Sequence, residues 1–340
     1  MIIDMHSHWV PRGLVAAASV DRTWYGWRVL RDPNGAQHIA LGDRSFPLVL
    51  ASGGLENAAA RIRQRTEEQG IDMEVLMIAG HLWNYHLNET ESIAFCREVN
   101  AEVAEVQGTY PTQFRGLGIL PMQHRKIAAA ELEHAVKEWN IRAFAIASNV
   151  GSLPLDDPTI LPVLELAAEA DVSISVHPPA FGTIGEERFP RYHFANSFGA
   201  PLESSMAVMS VVYSGLLDRY PGIRIFFTQG GGWIHYGVGR FDLRYYQRPD
   251  ARPMMSPPSD YLRRMYYDCL VHDDQALDLL VKRVGDDHVV LGTDYPFRGD
   301  IRGGAPKWIQ SRDFLSVQGR ERILWRNAAS FLGLDSDPTP

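Results

Sequence analysis

Short apolar runs alternate with amphipathic segments along almost the whole chain, and this alternation limits the folds open to it. The runs are rich in Val, Ile and Phe with little polar alternation, which is typical of parallel strands covered by helices. We predict strands at residues 2–6, 74–79, 114–120, 143–147, 172–177, 224–229, 265–269 and 289–294. The spacing predicts helices at residues 55–69, 91–110, 126–139, 158–170, 201–220 and 276–284.

Strands and helices in this order predict an α/β protein with the architecture of a (β/α)8 barrel of the TIM type. A doubly wound sheet is the alternative, but no G-x-G-x-x-G motif follows the first strand. Residues 24–50 resemble two short strands around a "DPNG" turn, so we predict a small β-hairpin inserted after strand 1, within residues 17–55. Residues 1–335 then form one barrel domain, and residues 336–340 form a loose tail.

The composition excludes several classes of partner. A formal charge of −8 leaves no basic field to neutralise phosphates, which argues against nucleic-acid and anionic-membrane binding. The two cysteines, Cys96 and Cys269, are far apart, which excludes a disulfide framework and a thiolate zinc site. The first residues lack the basic start and apolar core of a signal peptide, and the apolar stretch at 206–217 is too short for a membrane span. We therefore expect a soluble, cytoplasmic protein.

Two histidines close the first predicted strand, in the sequence "IIDMHSHW" at residues 2–9. Side chains at i and i+2 of a strand point the same way, so His6 and His8 project in parallel, roughly 6–7 Å apart. Two nitrogens on such side chains can converge on one metal ion at about 2.1 Å each. On these residues alone, a pair of surface or core histidines is an equal alternative.

Other predicted strands also end in polar residues. The fifth strand ends in His177, the sixth in Gln229 and the eighth in Asp294. Because the active site of such a barrel forms at the carboxyl ends of its strands, we expect these side chains to converge with the two histidines. Three imidazoles and a carboxylate suit a divalent metal ion, with Zn²⁺ as the first expectation and Mn²⁺ or another divalent ion as the alternative.

Several motifs carry a resemblance to a known family. "DMHSH" at the start, "GLGILPMQ" at 116–123, "VHPP", "GGGW" and "GTDYPF" resemble the amidohydrolase superfamily, of the amidohydrolase 2 type. The chain is most similar to the branch that contains the 2-amino-3-carboxymuconate-6-semialdehyde, salicylate, resorcylate and carboxyvanillate decarboxylases. The resemblance runs from Met1 to "NAASFLGL" at 327–334 and is least clear at residues 24–50.

The resemblance implies a ligand set and also shows two departures. The family's metal ligands, around zinc in the most similar members, fall on His6, His8, His177 and Asp294. The decarboxylase branch has a histidine that helps activate water where this chain has Gln229. A glutamine can orient a substrate oxygen but cannot accept a proton at neutral pH. The family also has a substrate-binding arginine where our alignment places Ser52 or Gly53.

Further residues are candidates for substrate contact. His81 and Trp83 follow the second strand, where they either line the pocket or belong to an ordinary loop. Relatives line their substrate cavity with the segment after the fifth strand. Here that segment contains Phe181, His193 and Asn196. Arg248 is a candidate anion contact, across the interface of the homodimer that we expect, although surface charge on a helix is the alternative. We expect Asp268 and His272, near the seventh strand, to be structural.

Our leading hypothesis is a metal-dependent carboxy-lyase that decarboxylates an aromatic or unsaturated carboxylic acid without oxidation. The metal chelates substrate oxygens, Asp294 transfers a proton, and Asp294, Gln229 and His177 are the predicted catalytic residues. The alternative is a hydrolase of C–C, amide or lactone bonds, or a hydratase, which uses metal-bound hydroxide. A non-catalytic metal-binding barrel is the third reading.

Overall fold

The computed structural model describes residues 1–47, 55, 57–251, 253–297 and 304–334. Ser52, Gly53 and the predicted tail at 336–340 lie outside these residues. The described strands are β1 (Ile3–Trp9), β2 (Arg28–Arg31), β3 (Gln37–Leu41), β4 (Arg44–Pro47), β5 (Met73–Ile78), β6 (Phe114–Gly116), β7 (Gly118–Ile119), β8 (Ala143–Ala147), β9 (Ser173–His177), β10 (Ile225–Phe227), β11 (Tyr266–Asp268) and β12 (Val289–Val290). The protein is a mixed α/β fold.

Helices lie between most of these strands. They are α1 (Arg12–Ser19), α2 (Ala58–Arg63), α3 (Glu89–Thr109), α4 (Arg125–Trp139), α5 (Leu161–Glu169), α6 (Ala200–Tyr213), α7 (Leu216–Arg219), α8 (Ile234–Gln247), α9 (Pro258–Tyr261), α10 (Asp274–Val284), α11 (Ala305–Gln310), α12 (Val317–Glu321) and α13 (Asn327–Leu332). Turns of π-helix follow α2 and precede α6 and α13. Among the described residues, no helix combines the length and hydrophobicity that a membrane span requires.

The strands that carry the site are parallel and fall into two runs. One has the order β1-β5-β6, and the other has the order β7-β8-β9-β10-β11-β12. At one junction Leu117, between β6 and β7, donates to the carbonyl of Leu76 at 2.9 Å. At the other junction Met5 donates to Leu291 at 2.9 Å, and Asp294 donates to His6 at 2.8 Å. The carboxyl ends of both runs therefore meet at one face.

The core strands are buried as their composition predicts. Every residue of β5 ("MEVLMI") and of β8 ("AFAIA") is buried, because helices cover the outer face of the parallel strands. Local signals set the helix starts. Asn88 and Glu91 form a capping box at the start of α3, and the Asp273 side chain accepts from Ala276 N at the start of α10.

Several predicted elements are shorter or divided. The strand predicted at 289–294 covers only Val289–Val290, and Asp294, four residues further on, adopts a φ of 58°. The helix predicted at 201–220 divides into α6 and α7 at Gly215, whose φ is 68°. A left-handed residue cannot continue a right-handed helix, which explains the division.

The segment between β1 and β5 contains an antiparallel sheet. The "DPNG" turn connects β2 and β3, and the Asp32 side chain accepts from Asn34 N and Ala36 N, each at 2.9 Å. We predicted two strands here, but a third, β4, pairs with β3 after a second turn at Gly42, whose φ is 58°. The sheet contributes Phe46 to the cavity described below.

Candidate metal centre

Four side chains from three strand ends converge at the carboxyl face of the parallel strands. His6 and His8 lie in β1, His177 ends β9 and Asp294 follows β12, and their ligand atoms all lie within 4.8 Å of one another. The Nε2 atoms of His6 and His8 are 3.1 Å apart, and Asp294 Oδ1 lies 3.0 Å from His8 Nε2. Two donors that share an ion at about 2.1 Å lie roughly 3.0–3.4 Å apart. The donor set therefore fits one divalent ion. We call these four residues the metal centre.

Each histidine of the metal centre is held by its other ring nitrogen. His6 Nδ1 lies 2.7 Å from Asp268 Oδ2, His8 Nδ1 lies 3.3 Å from Ile78 O, and His177 Nδ1 lies 2.6 Å from Pro178 O. An acceptor at Nδ1 fixes the proton there and leaves the Nε2 lone pair free for an ion. The arrangement therefore selects the tautomer that binds a metal.

The electrostatics also favour a cation. Burial and the neighbouring His8 and His6 hold the pKa of His177 well below its ordinary value, so its imidazole is neutral. Burial raises the pKa of Asp294, but the His8 hydrogen bond and the adjacent imidazoles outweigh that effect and lower it to about 2. Burial lowers the pKa of His6, but Asp268 and Asp294 outweigh it and raise the pKa above 6.5. An ionised carboxylate among imidazoles is a site for positive charge.

Asp268 links the metal centre to the neighbouring turn. Its side chain is fully buried, and besides holding His6 it accepts from Gly230 N at 2.7 Å and Leu270 N at 3.2 Å. We expected a structural residue here, and its contact with His6 places it beside the metal centre. The signal was present in the sequence, because Asp268 ends the seventh predicted strand just as the other polar residues end theirs.

Gly292 lets the ligand and its partner approach closely. A Cβ atom at this position would lie 2.9 Å from the Cβ atoms of both His6 and Asp268. Such contacts are too short for real atoms, so only glycine fits between the two side chains without displacing one of them. The glycine of the "GTDYPF" motif therefore sets the spacing on this side of the metal centre.

Gln229 lies in a strained turn between β10 and α8. Its φ is 57°, and Gly230, Gly231 and Gly232 also have positive φ values. A Cβ atom on Gly232 would lie 1.7 Å from Pro201 O, so the last glycine is required for packing. Within the described residues, the buried Oε1 atom of Gln229 has no hydrogen-bond partner. A buried carboxamide oxygen without a partner marks a place for a ligand or an ordered water.

Three cavities adjoin or approach the metal centre. The metal-facing cavity, of about 380 Å³, is lined by His8, Phe46, His81, His177, His193, Asn196, Gln229, Asp294 and Phe297, among others. A lateral cavity of about 490 Å³ contacts the same centre through His6, Gln229 and Asp294. A third cavity, of about 660 Å³, shares Gly80 and His81 with the metal-facing one.

The structure brings five of the six predicted substrate contacts to these cavities. His81 and His193 line the metal-facing cavity, and Asn196 lines both this cavity and the lateral one. Trp83 and Phe181 line the third cavity instead. Burial and the neighbouring His8 lower the pKa of His81 to about 4, so this side chain is neutral.

Arg248 does not lie at the metal centre of its own chain. It follows α8 at the surface, where its guanidinium pairs with Asp250 at 2.7 and 2.9 Å, and it lines none of the three cavities. The side chain is 63% exposed. The anion contact was predicted across the interface of a homodimer, and it stays a prediction.

A second buried polar group lies next to the metal centre, and we call it the ion-pair cluster. It consists of Asp4, Arg61, Arg65, Glu74 and Thr293. Arg61 Nη2 donates to Glu74 at 2.7 Å, and Arg65 donates to Asp4 and lies 3.4 Å from Glu74. Thr293 Oγ1 donates to Asp4 at 2.5 Å and accepts from Arg65 at 3.0 Å. Two carboxylates thus face two guanidinium groups.

Comparisons with known proteins agree with this geometry. A family profile described as "Amidohydrolase" matches residues 3–334. The 2-amino-3-carboxymuconate-6-semialdehyde decarboxylase of Dictyostelium discoideum is 32% identical over 275 residues, covering 80% of this chain and 76% of its own.

Two solved structures share the fold at low sequence identity. The 5-carboxyvanillate decarboxylase of Sphingomonas paucimobilis superimposes with a TM-score of 0.81 at 20% identity, covering 98% of this chain and 99% of that one. A dihydroxybenzoic acid decarboxylase from Polaromonas sp., with bound manganese and the inhibitor 2-nitroresorcinol, gives a TM-score of 0.78 at 22% identity, covering 98% and 96%.

Proposed function

Because the chain belongs to the amidohydrolase family, we propose that it is a metal-dependent carboxy-lyase that decarboxylates an aromatic or unsaturated carboxylic acid. The observation that carries the proposal is the convergence of three imidazoles and one carboxylate, of which His8, His177 and Asp294 line a cavity of about 380 Å³. The similar proteins named above support it, because all three are decarboxylases of unsaturated or aromatic acids.

We propose that His6, His8, His177 and Asp294 hold the ion. A set of three nitrogens and one oxygen is typical of Zn²⁺, and Zn²⁺ remains our first expectation. Manganese in the similar Polaromonas structure supports Mn²⁺ as the alternative. When bound, the divalent ion supplies Lewis-acid stabilisation of the charge that develops on the substrate's carboxylate and neighbouring oxygen.

In the proposed reaction, the bond between the ring carbon and the carboxyl carbon breaks and carbon dioxide leaves. The ring carbon keeps the electron pair and accepts a proton. Asp294 faces the cavity with its side chain 27% exposed and has a pKa of about 2. It is therefore ionised at the start, takes a proton from a hydroxyl group of the substrate, and delivers it to the ring carbon.

We propose that Gln229 holds a substrate oxygen or nitrogen by hydrogen bonding and does not carry protons. Support comes from its unpartnered buried oxygen and from its place in the lining of two cavities. Replacement Gln229→Ala should lower kcat/KM by about 10²–10³, a typical loss for one polarising contact. A loss smaller than about threefold, with unchanged metal content, would mean that the residue only shapes the turn.

The direct test is an assay of ortho-hydroxy and ortho-amino aromatic acids for release of carbon dioxide by the metal-loaded enzyme. We expect at least one acid to react, and the His177→Ala variant should not release carbon dioxide from it. The hydrolase or hydratase alternative would replace our proposal if no acid reacts and an amide, lactone or β-diketone incorporates oxygen-18 from solvent instead. Inactivity on both panels, with metal bound, would favour a non-catalytic binding protein.

We also propose the finer architecture and the assembly. The hydrogen bonds at both junctions of the parallel strands support a closed eight-stranded barrel over residues 1–335, with 17–55 inserted. A homodimer is supported by large exposed apolar side chains on and before α8 and α6. These are Phe198, Met206, Trp233, Tyr236, Leu243 and Tyr246. Sedimentation should give the mass of two chains, and a single-chain mass at micromolar concentration would contradict the dimer. We keep a cytoplasmic location as a proposal.

A further inference from the structure

One wall of the lateral cavity is mainly apolar, whereas the metal centre is polar. The volume of the cavity is about 490 Å³, and it opens onto the metal centre through Asp294 and Gln229. The wall opposite them is mainly apolar and comes from the loop after β11 and from α10. Its apolar members are Leu270, Val271, Ala276, Leu279 and Leu280, and His272 is its polar member. Apolar walls of this kind do not hold ordered water well, because they offer it no hydrogen-bond partners.

Two fully buried polar atoms without hydrogen-bond partners belong to described residues that line this cavity. Gln229 Oε1 is buried without a partner. His235 Nδ1 is also buried without a partner, while His235 Nε2 lies 2.8 Å from Gly230 O. A ligand that fits such a cavity has polar atoms toward the metal centre and hydrocarbon toward α10.

The carboxylate of the proposed substrate can bind in the metal-facing cavity without using the lateral cavity. The metal-facing cavity shares Asn196, Gln229 and Asp294 with the lateral cavity, and its own lining includes His81 and His193. A ring whose carboxylate reaches the metal centre can occupy the metal-facing cavity and still present one of its edges to the lateral cavity. The lateral cavity can then accept a substituent on that edge of the ring.

We propose that the lateral cavity is a subsite for a hydrocarbon substituent, an alkyl chain or second ring, on the aromatic acid. The inference rests on the proposed decarboxylase function and names its substrate class as alkyl- or aryl-substituted ortho-hydroxy or ortho-amino aromatic acids. The subsite discriminates between acids by the apolar area that the substituent buries against Leu279 and Leu280. Trp233 and Tyr236 form its outer rim.

Binding can be measured without turnover. Alkyl-substituted 2-nitrophenols carry a nitro group in place of the carboxylate, so they cannot lose carbon dioxide. We would titrate the zinc-loaded protein calorimetrically with the parent compound and with methyl to butyl derivatives at each free ring position. At one position, each added methylene should lower Kd by about threefold to fourfold, the factor expected for full burial of a CH₂ group.

A variant that fills the cavity tests the location. Ala276 is half-buried on α10 and lines the cavity, so Ala276→Leu places three additional carbons inside it. This variant should bind the butyl compound no more tightly than the parent compound, with parent affinity unchanged. Gln275→Leu adds the same side chain at the neighbouring exposed position and should behave like the unsubstituted protein.

The outcomes separate this inference from the proposed function. A Kd that does not change with chain length at any ring position would overturn the subsite, and so would equal behaviour of Ala276→Leu and Gln275→Leu. Release of carbon dioxide alongside either result would leave the decarboxylase function intact. Conversely, the expected affinity series with no acid decarboxylated would support the subsite and remove the function.

Discussion

The metal centre and the ion-pair cluster are neighbours that differ in one respect, the balance of their charges. Asp4 lies two residues before His6, and Thr293 immediately precedes Asp294, so the same two segments supply both groups. In the ion-pair cluster each carboxylate faces a guanidinium group. In the metal centre one carboxylate lies among three imidazoles whose Nε2 atoms face one another.

This difference separates a structural group from a functional one. Burial raises the pKa of Glu74, but Arg61 and Arg65 outweigh it and lower the pKa below its ordinary value. The ion-pair cluster therefore gives each carboxylate a guanidinium partner from the protein, although burial outweighs Arg65 at Asp4 and raises the pKa of that carboxyl to about 6. The metal centre has lone pairs directed at a common point and needs a cation from outside. Burial of polar groups alone identifies neither the ion-pair cluster nor the metal centre. The metal centre is identified because Asp294 has no guanidinium or ammonium partner among the described ion pairs.

The largest expected effect comes from removing a ligand of the metal centre. His177→Ala should lower the decarboxylation rate by roughly 10³-fold or more, because the loss of a bound ion removes several kcal/mol of stabilisation. Elemental analysis should show bound metal falling from about one equivalent in the unsubstituted protein. His134→Ala, on α4, is the control. Full metal retention by both His177→Ala and His6→Ala would contradict the assigned ligands.

Breaking the ion-pair cluster should instead affect stability. Arg65→Met removes the cation beside the fully buried Asp4, and loss of one partner of a buried pair costs about 3–5 kcal/mol. Urea unfolding with both proteins held metal-free by chelator isolates this effect from metal binding. Arg63→Met, at an exposed position of the same helix, should change the free energy of unfolding by less than about 0.5 kcal/mol. Equal effects of the two variants would show that the ion-pair cluster does not stabilise the fold.

A smaller effect should follow from changing the group that orients a ligand. Asp268→Asn keeps the size of the side chain but removes the charge next to His6, so metal affinity should fall by about 10–100-fold. A competing chelator of known affinity measures the change. Asp287→Asn is the matched control, because Asp287 also pairs with a histidine, His288, but at the surface. Unchanged metal affinity in the Asp268→Asn variant would mean that Asp268 only packs beside the metal centre.

Acidification by one pH unit should produce the smallest change. The pKa of His6 lies above 6.5, because Asp268 and Asp294 outweigh the effect of its burial. Below that pKa a proton competes with the ion for Nε2, so the apparent Kd for metal should rise by up to about tenfold per pH unit. Metal titrations at several pH values between 5.5 and 8 test the slope. A Kd independent of pH over this range would mean that His6 is not a ligand.

Much of the fold could be predicted because the buried strands are short and apolar. The strand at Ala143–Ala147 matches its predicted bounds, and helices α3 and α4 start and end within two residues of theirs. Elements that are interrupted by a residue with a positive φ were predicted less well. Gly215 divides its element through a positive φ value, which an apolar pattern does not encode.

The metal centre could be predicted from strand ends because that rule depends only on order along the chain. Asp268 obeys the same rule, yet its role depends on a contact with His6 that spans 262 residues. The ion-pair cluster was not predicted from the sequence for a similar reason. Arg61 and Arg65 lie one helical turn apart on what reads as an ordinary amphipathic helix. Only the packing of α2 against β1 and β5 shows that they are buried.

The hydrogen bonds between Asp4 and Thr293 join residues that are 289 positions apart. At a synthesis rate of about 5–20 residues per second, the first strand leaves the ribosome roughly 15–60 seconds before its partner exists. Throughout that interval Asp4, His6 and His8 have no access to the last strand. The nascent chain therefore carries the strand that contains Asp4 without this partner until residue 293 has been synthesised. Stalling or truncation shortly before Thr293 would leave that strand available to pair with other chains.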